Sequence, residues 1–223
     1  MSDDSFIREV DEELRRDQLS GLWARYGKLA IALAVLVVLA TAGYRGWEYW
    51  ADRQAGQSGD AFLKAVELSK AGKNDEATAA LEKLAADGSG EYPALARLRL
   101  AGEAQKKGDK EAALKAFDAI AADKSYDQAF RSVAQLRAGV LAVDLESHDQ
   151  VKARLSSFAT AGHSYRAVAR EALGLAAWKA GANEEAANWF RQIVEDANVT
   201  GGGRDRATVM LELLAGKGAT GAS

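Results

Sequence analysis

The 223-residue sequence predicts an all-α protein: a single N-terminal transmembrane helix, then a solenoid of short helix pairs closed by a C-terminal capping helix. Three observations predict it. From Leu29 to Tyr44 the chain runs for 16 residues without a charge, an amide or a proline. Beyond Trp50 it is built largely from Ala, Leu, Glu and Lys, the strongest helix formers, with hardly any alternating β-branched stretch. A glycine-centred pattern then recurs every 35 to 39 residues, as expected of stacked helix-turn-helix units.

The first element, residues 1–25, is polar. Over the first 28 residues seven acids face five bases, and Phe6, Ile7, Val10 and Leu14 form an apolar stripe at helical spacing. The second element is the span, residues 26–47. Its charge-free part makes a helix of roughly 24 Å. Extending it to Tyr26 and Trp47 reaches the roughly 30 Å of a bilayer core, with Lys28 and Arg45 close enough to the ends to snorkel. Trp23 and Tyr26 precede it, and Tyr44, Trp47, Tyr49 and Trp50 follow, so that aromatic side chains mark both membrane interfaces. Ala40-Thr41-Ala42 also fits a small-x-small cleavage pattern. The region before it is long and acidic, however, whereas a secretory leader is short and basic. Arg15, Arg16, Arg25 and Lys28 outweigh Arg45 and Arg53, which places the N-terminus in the cytoplasm and the C-terminal region outside, in the periplasm of a Gram-negative cell.

The third element, residues 48–215, is read as helices near 52–71, 74–87, 92–107, 109–123, 126–145, 149–161, 164–180, 183–197 and 204–215. Pro93 suits a first helical turn, and Gly72, Gly108 and Gly181 suit helix C-termini. Ser164 and Asn183 are read as N-caps. Ser69 to Leu84, Gln105 to Ile120 and Trp178 to Ile193 share one pattern, and a weaker copy begins at Leu145. Aligning Ala77, Ala112, Val151 and Ala186 gives four units. The last helix solvates the end of the stack, and residues 216–223 are read as a flexible tail.

Composition narrows the chemistry. There is no cysteine, only two histidines, and a formal charge of -3 with a pI near 5.6. These exclude thiol chemistry and argue against nucleic acid, whose phosphates call for a basic surplus. His148 and His163 fall in inter-helix turns without a metal-binding partner motif. The GxGxxG string at Gly216 follows a helix, where a dinucleotide fold needs a strand. Gly201-Gly202-Gly203 is read as a flexible link. No nucleophile, acid-base pair, metal site, cofactor or small-molecule site emerges, so the sequence predicts no enzyme and a function in binding proteins.

The last unit resembles a tetratricopeptide repeat through Leu173-Gly174, Gly181, Ala186 and Phe190, with Leu81 and Leu155 standing at the Phe190 position elsewhere. The resemblance implies a concave face, with Phe62, Arg97, Leu136, Val140, Glu171, Leu175 and Trp178 on or near it. The whole layout also resembles the YfgM-like ancillary subunits of the bacterial SecYEG translocon. That resemblance rests on Tyr26-Gly27-Lys28 entering the span, Gly46-Trp47-Glu48-Tyr49-Trp50 leaving it, and the degenerate repeats beyond. It implies an inner-membrane protein whose repeat domain touches the translocon and periplasmic chaperones or secreted clients. A scaffold for outer-membrane or peptidoglycan assembly, or a cytoplasm-facing adaptor, would share the same layout.

Overall fold

The computed structural model describes residues 3–199 and 201–220, with side chains over 25–29, 31–199 and 201–216. Trp23, the stripe of Phe6, Ile7, Val10 and Leu14, and the glycine-rich string from Lys217 onward lie outside the described side chains.

The chain is all-helical, with an apolar N-terminal helix followed by a helical repeat region. Its elements are α1 (Asp3–Lys70), α2 (Asn74–Asp87), α3 (Tyr92–Lys106), α4 (Lys110–Ala122), α5 (Gln128–Leu145), α6 (His148–Leu155), α7 (Arg166–Lys179), α8 (Asn183–Val194) and α9 (Gly202–Thr220). They divide into two units, residues 1–54 and residues 55–223.

The first unit is helical from Asp3 onward. Among the described residues it carries the helix that is long and apolar enough to cross a bilayer. Its apolar side chains face outward: Leu29 is 71% exposed and Leu39 67%. A core helix of a soluble protein would bury such residues. Two helices meeting near residue 50 were expected here, and α1 instead runs unbroken. The stretch from Glu48 to Gln54 holds no proline to interrupt the hydrogen-bond ladder, and an isolated glycine costs a helix only about 1 kcal/mol.

The second unit begins with the end of α1, whose Phe62 and Ala65 share a core with Leu81 and Leu84 of α2, and then pairs α3 with α4, α5 with α6 and α7 with α8, leaving α9 against α7 and α8. Each pair packs by the same device. A small residue on the first helix faces a large one on the second, sixteen positions later: Ala65 and Leu81, Ala101 and Phe117, Gly139 and Leu155, Gly174 and Phe190. Leu81, Phe117, Leu155 and Phe190 are all at most 1% exposed. Where the first helix carries glycine, the approach is closest. A β-carbon on Gly174 would lie 2.8 Å from Phe190 Cζ, and one on Gly139 would lie 2.6 Å from Leu155 Cγ.

This device corrects the repeat alignment in the second unit. Ala112 is exposed, and its neighbour Ala113 is fully buried with Phe117. The equivalents of Ala186 are therefore Ala77, Ala113 and Val151, spaced 36, 38 and 35 residues apart along the chain.

The helix termini follow backbone chemistry. Pro93 sits in the first turn of α3, and Gly108 and Gly181 take φ of 88° and 78°, a left-handed conformation that costs glycine little. Two expected caps are not caps. Tyr165 precedes α7 without a side-chain bond, and Asn183 is already helical behind Ala182. Side-chain caps occur instead at Asp109, Asp127 and Ser147, and Ser147 completes a reciprocal capping box with Gln150. α6 ends at Leu155, and turns fill the expected remainder up to residue 161. Gly202 and Gly203 belong to α9, not to a flexible link, and its backbone continues to Thr220, through positions read as tail. Gly201 alone makes the turn, with φ of 60°.

Polar latches one repeat long tie neighbouring pairs together. Arg154 of α6 donates to Asp118 of α4 at 2.7 Å and to Glu146 at 2.6 Å. Lys152 reaches Glu185 of α8 at 2.8 Å, and Arg206 of α9 makes a two-pronged contact with Glu171 of α7 at 2.6 and 2.8 Å. Behind α7, Asp196 accepts from Arg166 at 2.5 Å and from buried Arg170 at 3.2 Å.

Candidate protein-binding groove

The first helices of successive pairs line one face of the repeat unit. There the end of α1, with α3 and α5, encloses a groove of about 640 Å³. Its apolar lining is Phe62 of α1, Leu95 and Leu98 of α3, and Val133 of α5. Helical spacing explains the set: Leu95, Leu98, Arg99, Gly102 and Lys106 share one face of α3, and Val133 and Arg137 share one face of α5. Phe62 is held by Tyr92, their ring centroids 6.3 Å apart.

The charged lining carries a cationic surplus, with Arg99, Lys106 and Arg137 against Glu103. Glu103 is nearly buried; it accepts hydrogen bonds from Lys106 Nζ at 3.3 Å and the Ser69 hydroxyl at 3.2 Å and forms an ion pair with Arg99, whose Nε lies 3.0 Å away. Burial alone would raise its carboxyl. Hydrogen bonds from Lys106 and Ser69, with the charges of Lys106 and Arg99, hold it below the usual carboxylate range. Glu103 is thus a fixed anion inside the groove wall, and it is already neutralised. Arg137 instead lies over the Phe117 ring at 6.0 Å. An apolar floor rimmed by cations can hold an apolar side chain while attracting carboxylates beside it.

The structure distributes the seven expected groove residues unevenly. Phe62 lines the groove. Arg97 does not: its guanidinium covers Tyr126 at 5.7 Å, and it borders a separate trough of about 490 Å³ with Leu100, Ala104, Ala116 and Ile120. The alignment slip explains this. The second-unit equivalent of Phe62 is Leu98, and moving one residue rotates a side chain by about 100° around the helix. Leu136 occupies the equivalent place on α5 but is buried in the core between α5, α6 and α7. Val140 is exposed on α5, one turn beyond Arg137. Glu171 is engaged with Arg206, Leu175 packs into the α7–α8–α9 core, and Trp178 lies in the last turn of α7, 36% exposed. The sequence reading missed Leu95, Leu98, Arg99, Val133 and Arg137, although the alternating apolar and basic residues of α3 carry a groove-facing stripe.

The other candidates resolve as follows. His148 opens α6, with Nε2 3.6 Å from Glu185. His163 accepts the Tyr165 N–H at 3.1 Å and packs edge-on against Phe158 at 5.0 Å. Among the described residues no three His, Asp or Glu side chains converge as a metal site. In the first unit Tyr26, Tyr44, Trp47, Tyr49 and Trp50 are all more than half exposed. The Trp47 and Trp50 rings meet at a tilt of 43° with centroids 5.4 Å apart, and Arg45 pairs with Glu48 at 2.8 Å.

The family pattern described as a tetratricopeptide repeat-like domain matches residues 21–215. The chain is also 34% identical over 140 residues to the ancillary SecYEG translocon subunit of Escherichia coli (strain K12), across 61% of this chain and 67% of that protein. With its small-to-large packing device repeated in four helix pairs, the chain belongs to the tetratricopeptide repeat-like domain family, among its YfgM-like members.

Proposed function

We propose that this protein is a single-span, inner-membrane-anchored scaffold of the Sec translocon. Residues 26–47 hold it in the bilayer, the N-terminus lies in the cytoplasm, and the repeat unit works in the periplasm. There it binds chaperones or client chains emerging from the translocon, by contact and without catalysis. The observation that carries the reading is the groove on α1, α3 and α5, an apolar floor with a basic rim, in a chain related to an ancillary translocon subunit. The outward-facing apolar helix supports the anchor, and the surplus of basic residues on its N-terminal side supports the orientation.

Two measurements test this. Affinity purification of the full-length protein in mild detergent should recover translocon subunits. Protease added to spheroplasts should digest the repeat unit. Protection of that unit, while a periplasmic marker is cut, would remove the periplasmic reading. Recovery of one stoichiometric envelope-assembly protein without translocon subunits would replace the translocon with that complex.

A further inference from the structure

Neighbouring helix pairs are closed against each other by side chains at one repeating position, the residue just before the buried Leu81, Phe117, Leu155 and Phe190. In the third pair it is Arg154, which crosses to Asp118 of the second pair at 2.7 Å. In the fourth it is Trp189, which packs on the core between α5, α6 and α7, while Lys152 and Glu185 join the same two pairs at 2.8 Å. In the second pair it is Ala116, whose methyl group is too short to cross. The acid half of the latch is nevertheless present. Glu82 of α2 stands at the repeat position of Asp118 and is exposed. Polar ties across this joint run to α3 instead: the Ser69 hydroxyl donates to Glu103 and accepts from Arg99, both at 3.2 Å, and Arg97 reaches the Ala85 carbonyl at 3.5 Å.

The apolar packing at this joint is also the thinnest. The space beside Ala116 is the trough of about 490 Å³, and its Leu100 also packs on the core of the first pair. That core buries only Ala65, Leu81, Leu84 and Ala96, two of them alanines, whereas seven residues are buried between α3, α4 and α5 and ten around α5, α6 and α7. Less buried apolar area beside an unfilled space makes a joint that moves at low cost.

α3 is placed to be the fulcrum. At 100° per residue, Leu98 and Gly102, which line the groove, and Leu100 and Ala104, which line the trough, lie on opposite faces of this helix. α4 and α5 share one core and turn together. Rotation about α3 that carries α4 toward α2 therefore carries α5 away from Phe62 of α1, the far wall of the groove.

We infer that the joint between the first and second helix pairs is a hinge: the first pair rocks against the rest of the repeat unit about α3, and the trough closes as the groove opens. The consequence for binding rests on the groove being the protein-binding surface, whereas the hinge itself does not.

The chain has no cysteine, so spin labels report only introduced positions. Residues 79, 115, 153 and 188 share one repeat position on α2, α4, α6 and α8, and all four are exposed. Double electron–electron resonance on the full-length protein in mild detergent, without a partner, compares Ala79→Cys/Lys115→Cys with Lys115→Cys/Ala153→Cys and Ala153→Cys/Asn188→Cys. The first distance distribution should be about twice as wide as the other two. Ala116→Arg, which supplies the missing half of the latch to Glu82, should narrow it to their width, and adding Glu82→Gln should widen it again. Ala116→Trp, which fills the gap as Trp189 does, should narrow it without a charge. Amide exchange separates rocking from melting, and α2 should stay as protected as α4. Equal widths at the three joints, narrowing by neither Ala116 variant, or free exchange along α2 overturns the inference.

Discussion

Gly174 and Phe190 meet so closely that a β-carbon on the glycine would sit 2.8 Å from the ring's Cζ and 3.1 Å from Cε1. The ring is 1% exposed, so it has nowhere to go without opening the core shared by α7, α8 and α9. Gly174→Leu should therefore destabilise the repeat unit by about 1–3 kcal/mol or more through overpacking. Circular-dichroism melting checks it, and Gly174→Ala combined with Phe190→Leu should recover part of the loss. An unchanged melt for Gly174→Leu would mean that these helices do not pair this way.

The corrected alignment predicts a contrast between neighbours. Phe117→Ala empties a fully buried site on α4 and should cost about 3–5 kcal/mol. Ala112→Gln, on the exposed side of the same helix, should change stability by no more than about 0.5 kcal/mol. Urea midpoints of the two variants measure the contrast. Equal effects would restore the alignment through Ala112.

Asp196 joins α7 to the end of α8 through Arg166 and Arg170. The hydrogen bond from Arg166 outweighs burial and, with the Asn198 N–H and both guanidinium charges, holds its carboxyl well below the usual range. A depressed folded-state value means that this stabilisation is complete above the unfolded value of about 3.9 and is lost as pH falls through the folded one. Asp196→Asn should lower the melting temperature at pH 7, leaving buried Arg170 without its counter-charge. The gap to the unsubstituted protein should narrow below about pH 4. A gap that stays constant down to pH 2 would show that the carboxylate charge is not what stabilises the joint.

The anchor predicts a depth-dependent cost. Leu36→Arg, near the middle of the span, should cost about 2.5–3.5 kcal/mol of insertion free energy. Arg53→Leu, outside the span, should not impair insertion. Carbonate extraction of membranes measures the difference. Full retention of the Leu36→Arg protein in the pellet would contradict a span centred there.

Much of this architecture was legible in the sequence because its signals are local. Helix punctuation at Gly72, Gly108 and Gly181 needs only the residue type, and the charge-free run from Leu29 to Tyr44 needs only a window of composition. The groove was less legible, for a physical reason. Ala112 and Ala113 both satisfy the small-residue position, and only their burial tells them apart, yet choosing the wrong one rotates α3 by a residue and exchanges Leu98 for Arg97. The latches from Arg154 to Asp118 and from Arg206 to Glu171 join residues about one repeat apart, and their pairing depends on how neighbouring helix pairs rotate against each other. The caps were misplaced at Ser164 and Asn183 because polar residues of the right type also lie within the first turn or outside it.

The central claim is that a membrane-held superhelix works by receiving other proteins in the groove floored by Leu98. The most direct measurement is photo-crosslinking in intact cells from an ultraviolet-activated amino acid placed at Leu98, compared with the same probe at Ala112, an exposed position bordering the separate trough beside Arg97. The account predicts adducts to translocon subunits, chaperones or exported chains from position 98 and few from 112. Equal or absent adducts at the two positions, or a cross-linked protein recovered in the soluble fraction, would contradict it.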